Sequence, residues 1–139
     1  MRRASHRLSS YAVKFPIWQG ASHTRYPFVP WASGGSLPWY QAYNAAKHNR
    51  QVDFNKANFS NLLESFAGLV AVLSAQFWTE DFSPSAGYLV VGRSSDDFDD
   101  AVGGYCRVKF PDDWPDAERY DFAWSILSGD ADPFQNYRY

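Results

Sequence analysis

The chain is expected to fold as an α+β domain, with a central antiparallel helical hairpin over about 36–50 and 59–78 flanked by short strands and aromatic-rich loops. Three observations carry this. Phe59, Leu62, Leu63, Phe66, Leu69, Val70, Leu73 and Phe77 recur at three- and four-residue steps, the period of a helix. The stretch "SLPWYQAYNAAKHNR" opens with Ser36 as an N-cap candidate and Pro38 in the first turn, where its missing N–H costs nothing. Short runs rich in Val and aromatic residues lie on both sides of this pair, outside the helical pattern.

Taken in order, residues 1–10 read as a flexible basic tail and 11–139 as one globular domain. "MRRASHR" places three arginines at the start with no apolar run of signal-peptide length behind them. "SSYAVKFPIW" then sets Tyr11, Val13, Phe15 and Ile17 at alternate positions, the period of a half-buried strand. Pro16 cannot donate to a ladder, so it makes this an edge strand or marks a strand end. Residues 19–35 are rich in Gly, Ser and Pro, and "YPFVPW" within them reads as an aromatic-anchored loop laid across the core.

In the first helix, a rotation of about 100° per residue puts Trp39, Ala42, Tyr43, Ala46 and the stem of Arg50 on the core side. Tyr40, Asn44, Lys47 and His48 fall on the opposite face, with Asn44 and His48 one turn apart. Asn58 or Ser60 is the cap candidate for the second helix. That helix is apolar nearly all round, so it is expected at the centre with partners on more than one side. Beyond it, "GYLVVGRS" and "GYCRVKFP" read as strands, "FDDAVGG" as a turn of helix or a loop, and "RYDFAWSIL" fits either helix or strand.

Composition excludes several classes of function. Of 139 residues, 45% are hydrophobic and 20% charged, the profile of a globular chain. The net charge of −2 provides no global positive field for a polyanion. The long apolar stretch "NLLESFAGLVAVLSAQFW" carries Glu64, Ser65, Ser74 and Gln76, too polar for a comfortable membrane span. A single cysteine, Cys106, forms no intrachain disulfide and no thiolate cluster, which suits a soluble protein of the reducing cytoplasm; it reads as a buried structural thiol.

No metal site and no cofactor is implied. His6, His23 and His48 are far apart, and none has an acidic residue three or four positions on. "DDFDD" lacks the glycine and glutamate placement of a calcium loop. "AVGGYC" is a turn and not a nucleotide loop, and no G-x-S-x-G elbow occurs.

The chemistry that could be present lies on the first helix. His48 can transfer a proton near neutral pH. Asn44 can orient a substrate or the imidazole, and Lys47 and Arg50 can neutralise phosphate charge. Against this stands a plainer reading, in which basic groups in a last helical turn complement the helix dipole and cap its carbonyls.

"LPWYQAYNAAKHNR" followed by "NFSNLLESFAGLVAVL" resembles a pattern of uncharacterised bacterial proteins, in which a W/Y-x-x-Y-N-x-x-K-H-x-R segment precedes a second helix with an A-G-L step. The hairpin with its polar K-H-x-R end is also loosely similar to HEPN domains, small helical modules that bind or cut RNA. That resemblance implies RNA or nucleotide binding through Tyr40, Asn44, Lys47 and Arg50, with any cleavage metal-independent and His48 as its acid/base. HEPN ribonucleases typically carry an arginine four to six residues before the histidine; here positions 42–44 are Ala42, Tyr43 and Asn44, and Arg50 follows His48 instead. The alternative is a non-catalytic protein-interaction or assembly module, a homodimer or a partner of another protein, with "YPFVPW" and "PFQNYRY" as its sticky surface.

Overall fold

A computed structural model describes residues 7–18, 20, 23–77, 81–83 and 96–112. The helical stretches are α1 (Pro38–His48), a one-turn α2 (Arg50–Asp53) and α3 (Phe59–Phe77). The strands are β1 (Ala12–Lys14), β2 (Thr24–Arg25), β3 (Asp99–Val102) and β4 (Cys106–Lys109), paired antiparallel in the order β2-β1-β4-β3. α3 packed on an antiparallel sheet, with α1 packed on α3, makes the expected α+β fold.

β1 lies inside the sheet and is not an edge strand. Val13 is opposite Arg25 on one side and Val108 on the other. Pro16 falls just past the last paired residue, so its missing donor costs no ladder bond. Tyr11, Val13 and Phe15 are buried at alternate positions, as period two requires, and Ile17 past the strand end is exposed. The core begins before residue 11, because a 3₁₀ turn at Leu8–Ser10 buries Leu8.

The face of the sheet opposite α3 is polar and electrostatically ordered. Lys14 and Arg107 are register partners on β1 and β4, an arrangement that would set two cations side by side. Asp96 resolves it by accepting from Lys14 at 2.7 Å and from Arg107 at 3.1 Å. Arg107 also donates to Asp100 at 3.0 Å and to the carbonyl of Phe98. This explains why "FDDAVGG" is a strand and not a helical turn or loop: Ala101 faces the core while Asp100 serves Arg107 on β4. Gly103 closes the β3–β4 turn at φ +53°, a left-handed backbone that glycine adopts without Cβ strain. Asp81 accepts N–H bonds from Gly103 and Ser83, both at 2.9 Å, and so ties 81–83 to that turn. Burial pushes the Asp81 carboxyl up, but these two donors outweigh it and hold it below its usual value.

"YPFVPW" is anchored on the core as expected through its middle, while Tyr26 and Val29 are exposed. Pro27 and Phe28 are buried, Trp31 is half-buried against the core, and the run enters a 3₁₀ helix at Val29–Ser33. Phe28 and Trp31 lie 4.6 Å apart by ring centroid, and Trp39 of α1 donates its indole N–H to the Pro27 carbonyl at 2.9 Å. β2, just ahead of this loop, carries no sequence signal of its own; it forms because β1 supplies the partner backbone.

The hairpin differs from expectation at its ends. α1 starts at Pro38 with Leu37 in the capping position and no side-chain cap, so Ser36 does not cap it. Asn49, at φ −133° and ψ 57°, interrupts the helix, and α1 stops at His48 and not at 50. The second start is as expected at Asn58, whose side-chain oxygen accepts the Asn61 N–H at 3.0 Å. "GYLVVGRS", "RYDFAWSIL", "PFQNYRY" and residues 1–6 lie outside the described residues.

Candidate functional site

Two surfaces present themselves. The first is the outer side of α1. Tyr40, Lys47 and His48 are exposed there and Asn44 is half-buried, so these four share a face as the rotation argument required. Tyr43 joins them. It was assigned to the core side, yet it is 56% exposed and its ring stacks on Tyr40 with centroids 6.2 Å apart. At the edge of the apolar arc, Tyr43 gives way to Trp39, whose larger ring fills the space beside Phe28. The Lys47 ammonium sits 5.8 Å above the Tyr43 ring, a cation–π contact.

Arg50, expected at the end of the same helix with its stem on the core side, departs from that. The break at Asn49 puts it in α2, where its stem is exposed and its guanidinium lies over Phe54 at 5.5 Å. Next to it Asp53 pairs with Lys56 at 2.7 Å and accepts from Asn49 at 3.2 Å. The hydrogen bond from Lys56 lowers the Asp53 carboxyl from its usual value.

Chemically, the α1 face offers two stacked phenol rings, one ammonium and one imidazole. General acid–base work asks for a base oriented by a second group and facing a reacting atom. Among the described residues no hydrogen bond or ion pair orients His48. Lys47 and His48 stand in the last turn of α1, where they complement the carbonyl end of the helix dipole. The arrangement suits flat contact with a ring or an anion better than proton transfer. Among the described residues no cluster of three or more His, Cys, Asp or Glu could hold a metal ion. Cys106 is buried, and that burial pushes its thiol up to about 12, the inert structural cysteine expected.

The second surface was missed. α3 buries its small residues and exposes its large ones. Ala67, Gly68, Ala71, Ser74 and Ala75, together with Val70, face the sheet and α1. Phe59, Leu62, Phe66, Leu69 and Phe77 are between 41% and 61% exposed, and all lie along one stripe of the helix. Expecting partners on more than one side of α3 was right, because it meets β1, β4 and α1. It was wrong for this stripe. The stripe runs on into Trp18, stacked on Phe59 with centroids 5.3 Å apart, and the exposed Ile17. The missed signal is the distribution of size around α3, with every Ala, Gly68 and Val70 on one arc beside Leu63, and Phe59, Leu62, Phe66, Leu69, Leu73 and Phe77 on another.

Comparisons with protein-family models, with curated proteins and with solved structures return no match for this chain.

Proposed function

We propose that this protein is a non-catalytic protein-interaction module whose contact surface is the outer face of α3. One observation carries the reading: a helix that presents phenylalanines and leucines outward while packing alanines inward. Soluble monomers rarely expose contiguous apolar patches beyond a few hundred Å², and larger ones mark places where another surface docks. Among the described residues no helix is long and apolar enough to cross a membrane, so a bilayer-spanning role for α3 has no support. A reducing, cytoplasmic setting belongs to the same proposal and rests on the single buried thiol.

The test is direct. A thiol introduced by Leu69→Cys is expected to react with a maleimide in dilute solution at the rate of an exposed cysteine, while native Cys106 stays silent until the protein unfolds. A Leu69→Cys thiol as slow as Cys106 in a monomeric sample would mean that the chain covers its own α3 face, and the reading would fall.

A second reading, contact with RNA or a nucleotide through α1, has one observation in its favour. The exposed Tyr40–Tyr43 stack beside Lys47 is the kind of aromatic and cationic surface on which bases lie. Under it, anisotropy should show wild-type binding to single-stranded RNA at low salt that weakens as salt rises. Tyr40→Ala should weaken it by roughly fivefold, the lower end of one stacking contact. If His48 were the acid/base, His48→Ala would abolish cleavage while leaving that binding intact. Absence of binding at low salt would remove this reading.

A further inference from the structure

We infer that the outer face of α3 is a homodimer seam, occupied by the same face of a second copy of this chain. The inference rests on the interaction reading above and names the partner. Three features of the face select its own copy.

The first is spacing. Phe59, Leu62, Phe66, Leu69 and Leu73 follow steps of three and four, the alternation of the a and d positions of a coiled-coil seam, and Phe77 lies one turn beyond. A helix of 19 residues gives this seam a length of about 28 Å. Read from either end, the residues run Phe, Leu, then a central Phe and Leu, then Leu and Phe. Either polarity of a paired helix therefore sets rings and leucines against rings and leucines.

The second is charge. Glu64 is the only ionisable side chain of α3, and it turns inward to accept from Arg25 at 3.2 Å. One flank of the stripe is Asn61, Ser65, Val72 and Gln76, all uncharged, and the other is Leu63, Val70 and Ser74, which turn into the core. Such a face neither repels its own copy nor offers the charged rim that steers an unlike partner.

The third is area. With full areas of roughly 150–250 Å² per aromatic side chain, the exposed parts of Ile17, Trp18, Phe59, Leu62, Phe66, Leu69 and Phe77 come to about 600–700 Å² in one copy. That lies above the largest patch of an ordinary monomer, about 300–600 Å². Doubled in a symmetric pair it reaches about 1,300 Å², within the range of about 1,200–2,000 Å² for stable interfaces. Apart from Phe66, whose ring also meets Phe15, the seam leaves the protein's own core alone, because α3 packs inward through its small side chains, Val70 and Leu63.

The experiment is the solution mass of the full chain, by sedimentation equilibrium from nanomolar to high-micromolar concentration, for wild type and for Leu62→Lys/Leu69→Lys. The wild type is expected at twice the chain mass, and the double variant at the single mass with the urea midpoint that the wild type shows when diluted to its monomer, since both positions are outside the core. A wild-type dimer that the two lysines leave intact would overturn the seam, because the contact would lie elsewhere. A monomeric wild type at every concentration would also overturn it, whatever the variant does. In that case the Leu69→Cys thiol separates the two failures. An open thiol leaves the interaction reading standing with a different protein as partner, and a closed one removes both.

Discussion

Tyr11→Ala is expected to lower the free energy of unfolding by about 3–5 kcal/mol, the range for removing a large buried ring. Tyr11 is fully buried, and its ring meets the edge of Phe110 at a centroid distance of 5.7 Å. It stands just ahead of β1, at the point where the sheet and the N-terminal turn share one core. Against a total stability of about 5–15 kcal/mol for a domain, such a loss takes much of the folded state's margin. Urea unfolding should show the midpoint falling with little change in slope. Val52→Ala, at an exposed position outside both surfaces, should stay within about 0.5 kcal/mol of wild type. Equal effects at the two positions would place Tyr11 outside the core.

Gly68→Leu is expected to be the second large effect, at about 1–3 kcal/mol or more from overpacking. A Cβ at Gly68 would already lie 3.3 Å from the Trp39 ring, 3.4 Å from Phe28 and 3.7 Å from Pro27. Those three groups are themselves fastened together by the Trp39 indole bond to Pro27 and by the edge-on packing of Phe28 against Trp39. They have little room to withdraw. Alanine at the same site tests the balance of two opposed terms. It gains about 1 kcal/mol of helix propensity over glycine and spends a similar amount on the tight Trp39 contact. Gly68→Ala should therefore sit near neutral while Gly68→Leu unfolds in clearly less urea. If leucine proved as benign as alanine, α1 and α3 would not approach as closely as Gly68 and Trp39 imply.

Much of the fold was legible because it is local. The helical period between Phe59 and Phe77, the Asn58 cap and the proline at the start of α1 each act through neighbours within one turn. β4 was legible in the same way, from a short run rich in β-formers behind a glycine. β2 and β3 were not. Thr24–Arg25 is too short to carry a period, and Asp99–Asp100 has the composition of a solvated loop. Each becomes a strand only because a better-patterned neighbour, β1 for β2 and β4 for β3, offers backbone groups and, for β3, the Arg107 guanidinium.

The α1 face was legible in part. Tyr40, Asn44, Lys47 and His48 fell together by rotation alone, and the structure places them together. Tyr43 and Arg50 did not follow, for different reasons. Tyr43 sits at the border of the arc, where the neighbouring ring of Trp39 decides which residue is covered. Arg50 was lost to a backbone break at Asn49 that no helical pattern announces.

The residues alone were enough for α1 and α3, for their ends to within a few positions, and for the fact that one cysteine can form neither an intrachain disulfide nor a thiolate cluster, because propensity, capping and residue counts are properties of short segments. Only the tertiary structure decided which way α3 faces. Its pattern is apolar on nearly every side, so amphipathicity could not choose a core face. Close approach to the sheet and to Trp39 chose it instead: the arc of Ala67, Gly68, Ala71, Ser74 and Ala75 is thin enough to fit, Leu63 packs at its margin, and Phe59, Leu62, Phe66, Leu69 and Phe77 were left outside.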